Sequence, residues 1–122
     1  MTLQRQQLGK SGEDLAARAL EEKGYAILAR RYRTRHGEID IVAQDGETLV
    51  FVEVKARATA EFGTAAEAVT DWKRRRLRAM AVDYLARAQW TDRPCRFDVV
   101  AIDDVETSPV ITIYPNAFDA TV

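Results

Sequence analysis

The chain has 122 residues, of which 47% are hydrophobic and 30% charged, and its formal net charge at pH 7 is −1. This length and composition are typical of one globular domain with a substantial core, and they exclude a disordered chain. No apolar stretch approaches the roughly 18 residues that a membrane span requires, and the start, MTLQRQQLGK, has no apolar signal segment. We therefore predict one cytoplasmic domain over residues 1–122, with its core in about 8–118, short tails at both ends and no membrane contact.

The charges are distributed unevenly along the chain. Residues 1–96 contain all 18 basic residues and have a net charge of +4, whereas residues 97–122 have a net charge of −5. Arginine outnumbers lysine by 14 to 4, and the planar guanidinium group suits phosphate oxygens. The runs ARRYRTR at 29–35 and KRRRLR at 73–78 are either solvated basic faces, which is the more common case, or nucleic-acid contacts.

The first predicted element is a helix that begins at Ser11 and ends at Lys23. Ser11 can cap its N-terminus together with Asp14, and Gly24 supplies the left-handed residue that follows its C-terminus. Glu13 lies at the margin of the apolar side, so we predict that it faces whatever the helix packs on. The apolar side itself consists of Leu15, Ala16, Ala19 and Leu20.

Three strands are predicted next, in YAILARRYR at 25–33 and in GEIDIVAQDGETLVFVEVKAR at 37–57. Asp45-Gly46 predicts a two-residue hairpin turn between the second and third strands. Because side chains alternate along a strand, one face then carries polar residues and the other carries aliphatic ones. The polar face pairs Glu38 with Glu53, Asp40 with Phe51 and His36 with Lys55, and the aliphatic face consists of Ile39, Ile41, Val50, Val52 and Val54.

The second half of the chain predicts one more helix and two more strands. RATAEFGTAAEAVT at 57–70 is predicted to be a loop with a short helical turn. The clearest helical pattern runs from about Asp71 to Arg87. Strands are predicted in RFDVVAID at 96–103 and VITIYP at 110–115. The resulting order, αβββαββ, predicts an α/β fold in which helices flank a mixed central sheet.

The polar face of the predicted hairpin is unusual, because carboxylates on a buried strand repel each other and lose solvation. A salt-bridge ladder with Lys55 or an arginine would relieve this cost, and so would a divalent cation held by carboxylate oxygens, as Mg²⁺ prefers. The charge placement alone leaves both arrangements open. Lys55 favours the cation, because it shares a face with Glu53 and can stabilise charge on a phosphate under attack.

Asp40 followed by Glu53-x-Lys55, with an acid on the preceding helix, resembles the PD-(D/E)xK nuclease motif. The wider sequence resembles the YraN-like family of predicted endonucleases, which is related to archaeal Holliday-junction resolvases. This resemblance implies a restriction-endonuclease-like αβββαβ core and a metal-dependent endonuclease acting on DNA, including branched, Holliday-junction-like DNA. The matching segments are GKSGEDLAARALEEKGYAIL, GEIDIVA, VFVEVKAR, AVTDWKRRRL and RFDVVAI.

The resemblance also implies a role for individual residues. Glu13, Asp40 and Glu53 would be catalytic acids that hold Mg²⁺ or Mn²⁺, and Lys55 would be the catalytic lysine. Glu38 would either be an accessory acid at the metal or pair with a basic residue. Because resolvase-like relatives are dimers, a homodimer is expected. The residues implied to bind DNA are Arg33, Arg35, Lys73, Arg74 and Arg76.

Four further residues carry weaker expectations. His36, the single histidine, is expected to be a surface residue or a hydrogen-bonded one rather than a general base. Trp72 can stack on a base, but packing at the start of the helix is the favoured interpretation. Asp98 is expected to be structural. Arg31 stands where relatives commonly carry asparagine, so the hydrogen bonding at this strand end is expected to differ.

Two rivals to the nuclease follow from the sequence. One is a non-catalytic nucleic-acid-binding or scaffold protein on the same fold, against which the intact set of acids and lysine argues. The other is a protein-interaction module that uses the acidic residues of 97–122, and it rests on charge asymmetry alone.

Overall fold

The structure is a computed structural model that describes residues 3–56, 71–90, 93–104 and 107–118, with the backbone alone for 3–11 and 118. The predicted order of elements is confirmed, and the loop predicted at 57–70 lies outside the described residues. In chain order the elements are α1 (Leu3–Glu22), β1 (Ala26–Thr34), β2 (Gly37–Asp45), β3 (Thr48–Ala56), α2 (Asp71–Ala88), β4 (Cys95–Asp103) and β5 (Val110–Phe118).

The five strands form one mixed sheet in the order β1-β2-β3-β4-β5. Neighbouring strands are antiparallel except β3 and β4, which run parallel. A parallel pair cannot be joined by a tight hairpin, so the chain crosses between these two strands through α2. The α/β fold with a mixed central sheet is therefore confirmed, and it is consistent with a restriction-endonuclease-like core.

The two helices cover opposite faces of the sheet, and each face has its own apolar core. Alternation along β3 and β4 divides their side chains between the two cores, since successive residues point to opposite faces. The core under α1 contains Ala16, Ala17, Leu20, Ile41, Ala43, Val50, Val52, Val100 and Ile102. The core under α2 contains Ile39, Val42, Leu49, Phe51, Leu77, Met80, Ala81, Phe97 and Val99.

Helix α1 begins earlier than predicted. It starts at Leu3 and passes through Ser11 without interruption, so the prediction that Ser11 caps its N-terminus is wrong. The preceding leucine, glutamine, arginine and lysine residues favour helix, and they extend it by two turns. Its C-terminus follows the prediction, because Gly24 has a φ of 94° directly after the last turn.

Gly12 lets α1 approach β3 closely. A Cβ atom at this position would lie 2.7 Å from the Cβ of Ala56, which is closer than real carbon contacts allow. The absence of a side chain at Gly12 therefore sets the distance between the helix that carries Glu13 and the strand that carries Glu53.

Gly12→Ala should consequently destabilise the protein, although alanine favours an isolated helix by about 0.5–1 kcal/mol. We expect the free energy of unfolding to fall by about 1–3 kcal/mol through overpacking, measured by urea denaturation. Combining the change with Ala56→Gly should restore most of the loss. A stabilised Gly12→Ala protein would contradict the close contact.

The β2–β3 turn differs from the prediction by one residue. Asp45 pairs with Thr48 and Ile41 with Val52, so the two loop residues are Gly46 and Glu47 rather than Asp45 and Gly46. The turn shifts because Gly46, with a φ of 60°, takes the first loop position. Each predicted cross-strand pair is therefore wrong.

By itself this shift would preserve which residues share a face, because the partner of each residue changes by two positions and side chains alternate with period two. The β2–β3 ladder ends at Ile41 and Val52, and Asp40 and Glu53 are the next residues on the two strands. His36 lies in the turn between β1 and β2, outside the β2–β3 ladder, so its predicted pairing with Lys55 is also wrong.

The alternation of side chains along β2 slips by one residue at Asp40. Ile41 packs under α1, but Ile39 packs under α2 instead of sharing the face of Ile41 as predicted. The opposite position on β1 is Arg31, whose φ of 52° is itself unusual in a strand. At the same point the side chain of Asp40 accepts a hydrogen bond from the backbone N–H of Val54 on β3.

Candidate functional site

Asp40 occupies the point where β2 and β3 separate. Its Oδ2 atom accepts a hydrogen bond of 2.8 Å from the backbone N–H of Val54, so a side chain replaces the strand carbonyl that the ladder would otherwise supply. Burial raises the pKa of Asp40 to about 7, and the negative charge of Glu53 adds to the effect. A carboxyl group with this pKa is poorly stabilised in its charged form, so a cation bound nearby would stabilise that form.

Glu53 is held by two lysines from different elements. Its Oε1 atom lies 3.4 Å from Nζ of Lys55 on the same strand and 3.3 Å from Nζ of Lys73 on α2. Burial lowers the pKa of Lys55, and its contact with Lys73 lowers that pKa further. The sequence suggested a phosphate contact for Lys73, whereas its place beside Glu53 follows from the packing of α2 on the sheet.

Glu13 faces the sheet as predicted and is 7% exposed. Its two carboxylate oxygens pair with two consecutive arginines, at 3.2 Å from Nε of Arg30 and 3.1 Å from Nε of Arg31. Consecutive strand residues normally point to opposite faces, and the positive φ of Arg31 is what allows both to reach one acid. The sequence analysis does not predict this pairing. The available signal is Arg31 itself, because it stands where proteins of the resembling family commonly carry asparagine.

The other four residues predicted to bind DNA each contact a neighbouring residue. Arg33 is 3.8 Å from Glu38, and Arg35 donates a 3.3 Å hydrogen bond to Nε2 of His36. Arg76 donates from Nε to the carbonyl oxygen of His36, which ties α2 to the β1–β2 turn. At the start of α2, Nη1 of Arg74 lies 3.9 Å from Oδ1 of Asp71.

A cleft of about 250 Å³ brings most of these groups together. The strands contribute carboxylates to it, and α2 contributes basic and apolar side chains. Lys55 reaches Glu53 from beside the cleft and is not part of its lining. The lining consists of Glu38, Asp40, Glu53, Lys73, Arg76, Leu77 and Met80.

We tested whether these residues fit a divalent cation. Within the described parts of the chain, no three carboxylate, imidazole or thiol groups come together as a metal site. Asp40 and Glu53 nonetheless both line the cleft, and the charge of Glu53 helps to raise the pKa of Asp40. Mg²⁺ typically uses one or two carboxylates and completes its shell with water and phosphate oxygens, so this pair fits. The ligand role of Glu13 stays a prediction.

Asp98 is completely buried on the α1 face of β4 and does not line the cleft. Its Oδ1 atom accepts hydrogen bonds from Nε of Arg96 at 3.0 Å and from the backbone N–H of Asn116 at 2.9 Å. The hydroxyl of Tyr25 donates to its other oxygen at 3.3 Å, and Arg96 also contacts Asp45 at 3.0 Å. This network supports the structural role expected for Asp98.

Trp72 does not pack at the start of α2, so the favoured interpretation of this residue is wrong. The side chain is 59% exposed, because the first turn of α2 projects beyond the core that begins at Leu77. The middle of α2 follows the predicted pattern, with Leu77, Met80 and Ala81 buried, whereas Ala88 at the end of the predicted apolar stripe is exposed.

The fold and the site thus define an α/β protein with a carboxylate pair, two lysines and a basic cleft on one face of a mixed sheet. None of the described helices is both long enough and apolar enough to cross a membrane. Residues 12–102 match the model of the family described as uncharacterised protein family UPF0102, and the chain belongs to this family.

Similar proteins are found in several bacteria. A UPF0102 protein of Geobacter metallireducens is 45% identical over 98% of this chain and 98% of its own length. One from Moorella thermoacetica is 50% identical over 97% of this chain and 100% of its own length. A third, from Symbiobacterium thermophilum, is 53% identical over 79% of this chain and 81% of its own length. These names state the family and no activity.

Proposed function

We propose that this protein is a metal-dependent endonuclease that hydrolyses DNA phosphodiester bonds, with branched DNA among its substrates. The observation that carries the proposal is the pair Asp40 and Glu53, placed side by side in a basic cleft with Lys55 against Glu53. Two buried carboxylates repel each other and lose solvation, so a positively charged ligand bound between them would stabilise the site.

The residues in and beside the cleft have distinct roles in this proposal. Asp40 and Glu53 would hold Mg²⁺ or Mn²⁺, which supplies Lewis-acid polarisation of a phosphate when bound. Lys55 can donate hydrogen bonds to an attacking water or to a phosphate oxygen, and its lowered pKa makes proton exchange easier. Lys73 and Arg76 would contact backbone phosphates, so DNA binding should weaken steeply with salt.

The test of this function compares Mg²⁺, Mn²⁺ and EDTA on single-stranded, duplex, flap and four-way-junction DNA. Lys55→Ala should lower cleavage about a hundredfold or more while DNA binding survives, because it removes charge stabilisation at the reacting phosphate. Lys73→Ala is the matched control, since it removes the other ammonium from Glu53. It should weaken binding more than turnover. Cleavage by Lys55→Ala at the parent rate would contradict the assignment.

The proposal includes a homodimer, because symmetric cleavage of a four-way junction requires two active sites. A dimer would also bring two basic clefts to one substrate.

A specific observation favours the second candidate, a non-catalytic nucleic-acid-binding protein. Glu53 and Glu13 each already have two basic partners in the structure, so these charges are balanced without a cation. Thermal unfolding during a Mn²⁺ titration separates the candidates. A nuclease should be stabilised by Mn²⁺ in the parent and not in Glu53→Gln, whereas a scaffold should respond equally in both.

A further inference from the structure

Trp72 is the feature of the cleft region that the proposed chemistry leaves unused. Its indole is 59% exposed on the first turn of α2, immediately before Lys73. Tryptophan is highly buried on average, so this exposure sets Trp72 apart from the buried apolar residues of the same helix.

Arg76 lies against this indole and is itself fixed in place. Its guanidinium carbon is 5.0 Å from the centre of the Trp72 ring, within cation–π range. Its Nε donates to the carbonyl oxygen of His36. Gly37 makes room for it, because a Cβ there would lie 2.6 Å from Nη2 of Arg76. An aromatic ring and a guanidinium group are thus presented together at the N-terminal end of α2.

The pair adjoins the carboxylates. Arg76 lines the cleft that contains Asp40 and Glu53, and Lys73, the residue after Trp72, lies 3.3 Å from Oε1 of Glu53. A strand whose phosphate entered the cleft would therefore have a neighbouring base within reach of the indole. The surrounding basic side chains match the charge of a phosphate backbone.

We propose that Trp72, supported by Arg76, is a stacking platform for one unpaired nucleotide beside the cleft. Bases inside a duplex already stack on both faces, so only an unpaired or splayed base offers a free face to an indole. The preferred substrate then contains single-stranded DNA or an unpaired nucleotide next to the scissile bond. This inference rests on the proposed function and adds the substrate class to it.

The experiment measures binding in EDTA, where cleavage does not interfere. Trp90→Phe makes Trp72 the single tryptophan, since the chain has two. A short oligothymidine should quench the emission of Trp72, and a blunt duplex of equal length should not. Trp72→Ala should bind oligothymidine about tenfold more weakly, Trp72→Phe should lose less, and the salt dependence should be unchanged because no charge is removed.

Val82→Ala is the matched control, because Val82 is 57% exposed on the same helix and lies outside the basic run at 73–78. It should bind oligothymidine like the parent. Equal affinity of Trp72→Ala and the parent for oligothymidine would overturn the inference, as would an equal loss on the blunt duplex.

Cleavage assays with Mn²⁺ distinguish this inference from the proposed function. A parent that cleaves DNA while Trp72→Ala binds oligothymidine normally would overturn the platform alone. A parent that binds oligothymidine through Trp72 but never cleaves DNA would overturn the nuclease alone.

Discussion

Asp40→Asn should abolish DNA cleavage and at the same time make the protein more stable. Asparagine keeps an acceptor oxygen for the N–H of Val54 but removes a charge needed to hold a divalent cation. We expect cleavage to fall about a thousandfold or more, since such a cation supplies several kcal/mol of charge stabilisation. Stability rises because the charge removed is one that burial and Glu53 disfavour.

The gain in stability should depend on pH in a defined direction. The pKa of Asp40 is about 7 in the folded protein against 3.8 for an ordinary aspartate. Between these values the folded protein holds a proton that the unfolded chain has lost, so stability falls as the pH rises through this window. Asp40→Asn should match the parent near pH 4 and exceed it at pH 8 by at most about 4 kcal/mol.

The measurement is the free energy of unfolding by urea at both pH values, with EDTA present to remove cations. Glu47→Gln is the control, because Glu47 is an exposed acid in the turn of the same hairpin. It should change neither cleavage nor stability. An Asp40→Asn protein that is less stable than the parent at pH 8 would show that the Asp40 charge is well compensated in the fold.

Asp98→Ala should cause the largest loss of stability. The carboxylate is fully buried, pairs with Arg96 and accepts the N–H of Asn116 at the irregularity in β5. Removing it leaves the Arg96 charge without its buried partner and the Asn116 donor without an acceptor. We expect the free energy of unfolding to fall by about 3–5 kcal/mol.

Urea denaturation of Asp98→Ala, Arg96→Met and the double variant tests this prediction. The double variant should be less destabilised than the sum of the single ones, because no charge is then left buried alone. Additive losses would indicate that the two residues act independently. Asp104→Ala, a change just beyond the end of the same strand, should have little effect.

Much of the fold follows from local pattern. Helical spacing from Leu77 to Leu85 predicts α2, the strand signals around Asp45-Gly46 predict β2 and β3, and Gly24 ends α1 as expected. The start of α1 was missed because a capping signal at Ser11 competes with helix-forming residues that lie before it. The β2–β3 turn was placed one residue early because Asp45-Gly46 and Gly46-Glu47 offer nearly equivalent turns around one glycine.

The candidate site was predictable to the extent that it depends on alternation within one hairpin. The hairpin pattern predicts Asp40, Glu53 and Lys55 in one region, and the shift of the turn does not separate them because Asp40 and Glu53 directly follow the last pair of the β2–β3 ladder. It could not place Lys73 against Glu53, because that contact depends on how α2 packs across the sheet. The pairing of Arg30 and Arg31 with Glu13 depends on a backbone irregularity that no periodic pattern encodes.

The hydrogen bond between Asp40 and Val54 gives the molecule an internal reporter. The Val54 amide donates its hydrogen bond to the Asp40 carboxylate, so its proton senses the charge state of Asp40 directly. Its chemical shift and its rate of exchange with solvent deuterium respond to protonation of that carboxyl group. A magnetic resonance spectrum can therefore follow the centre of the cleft through a single backbone signal.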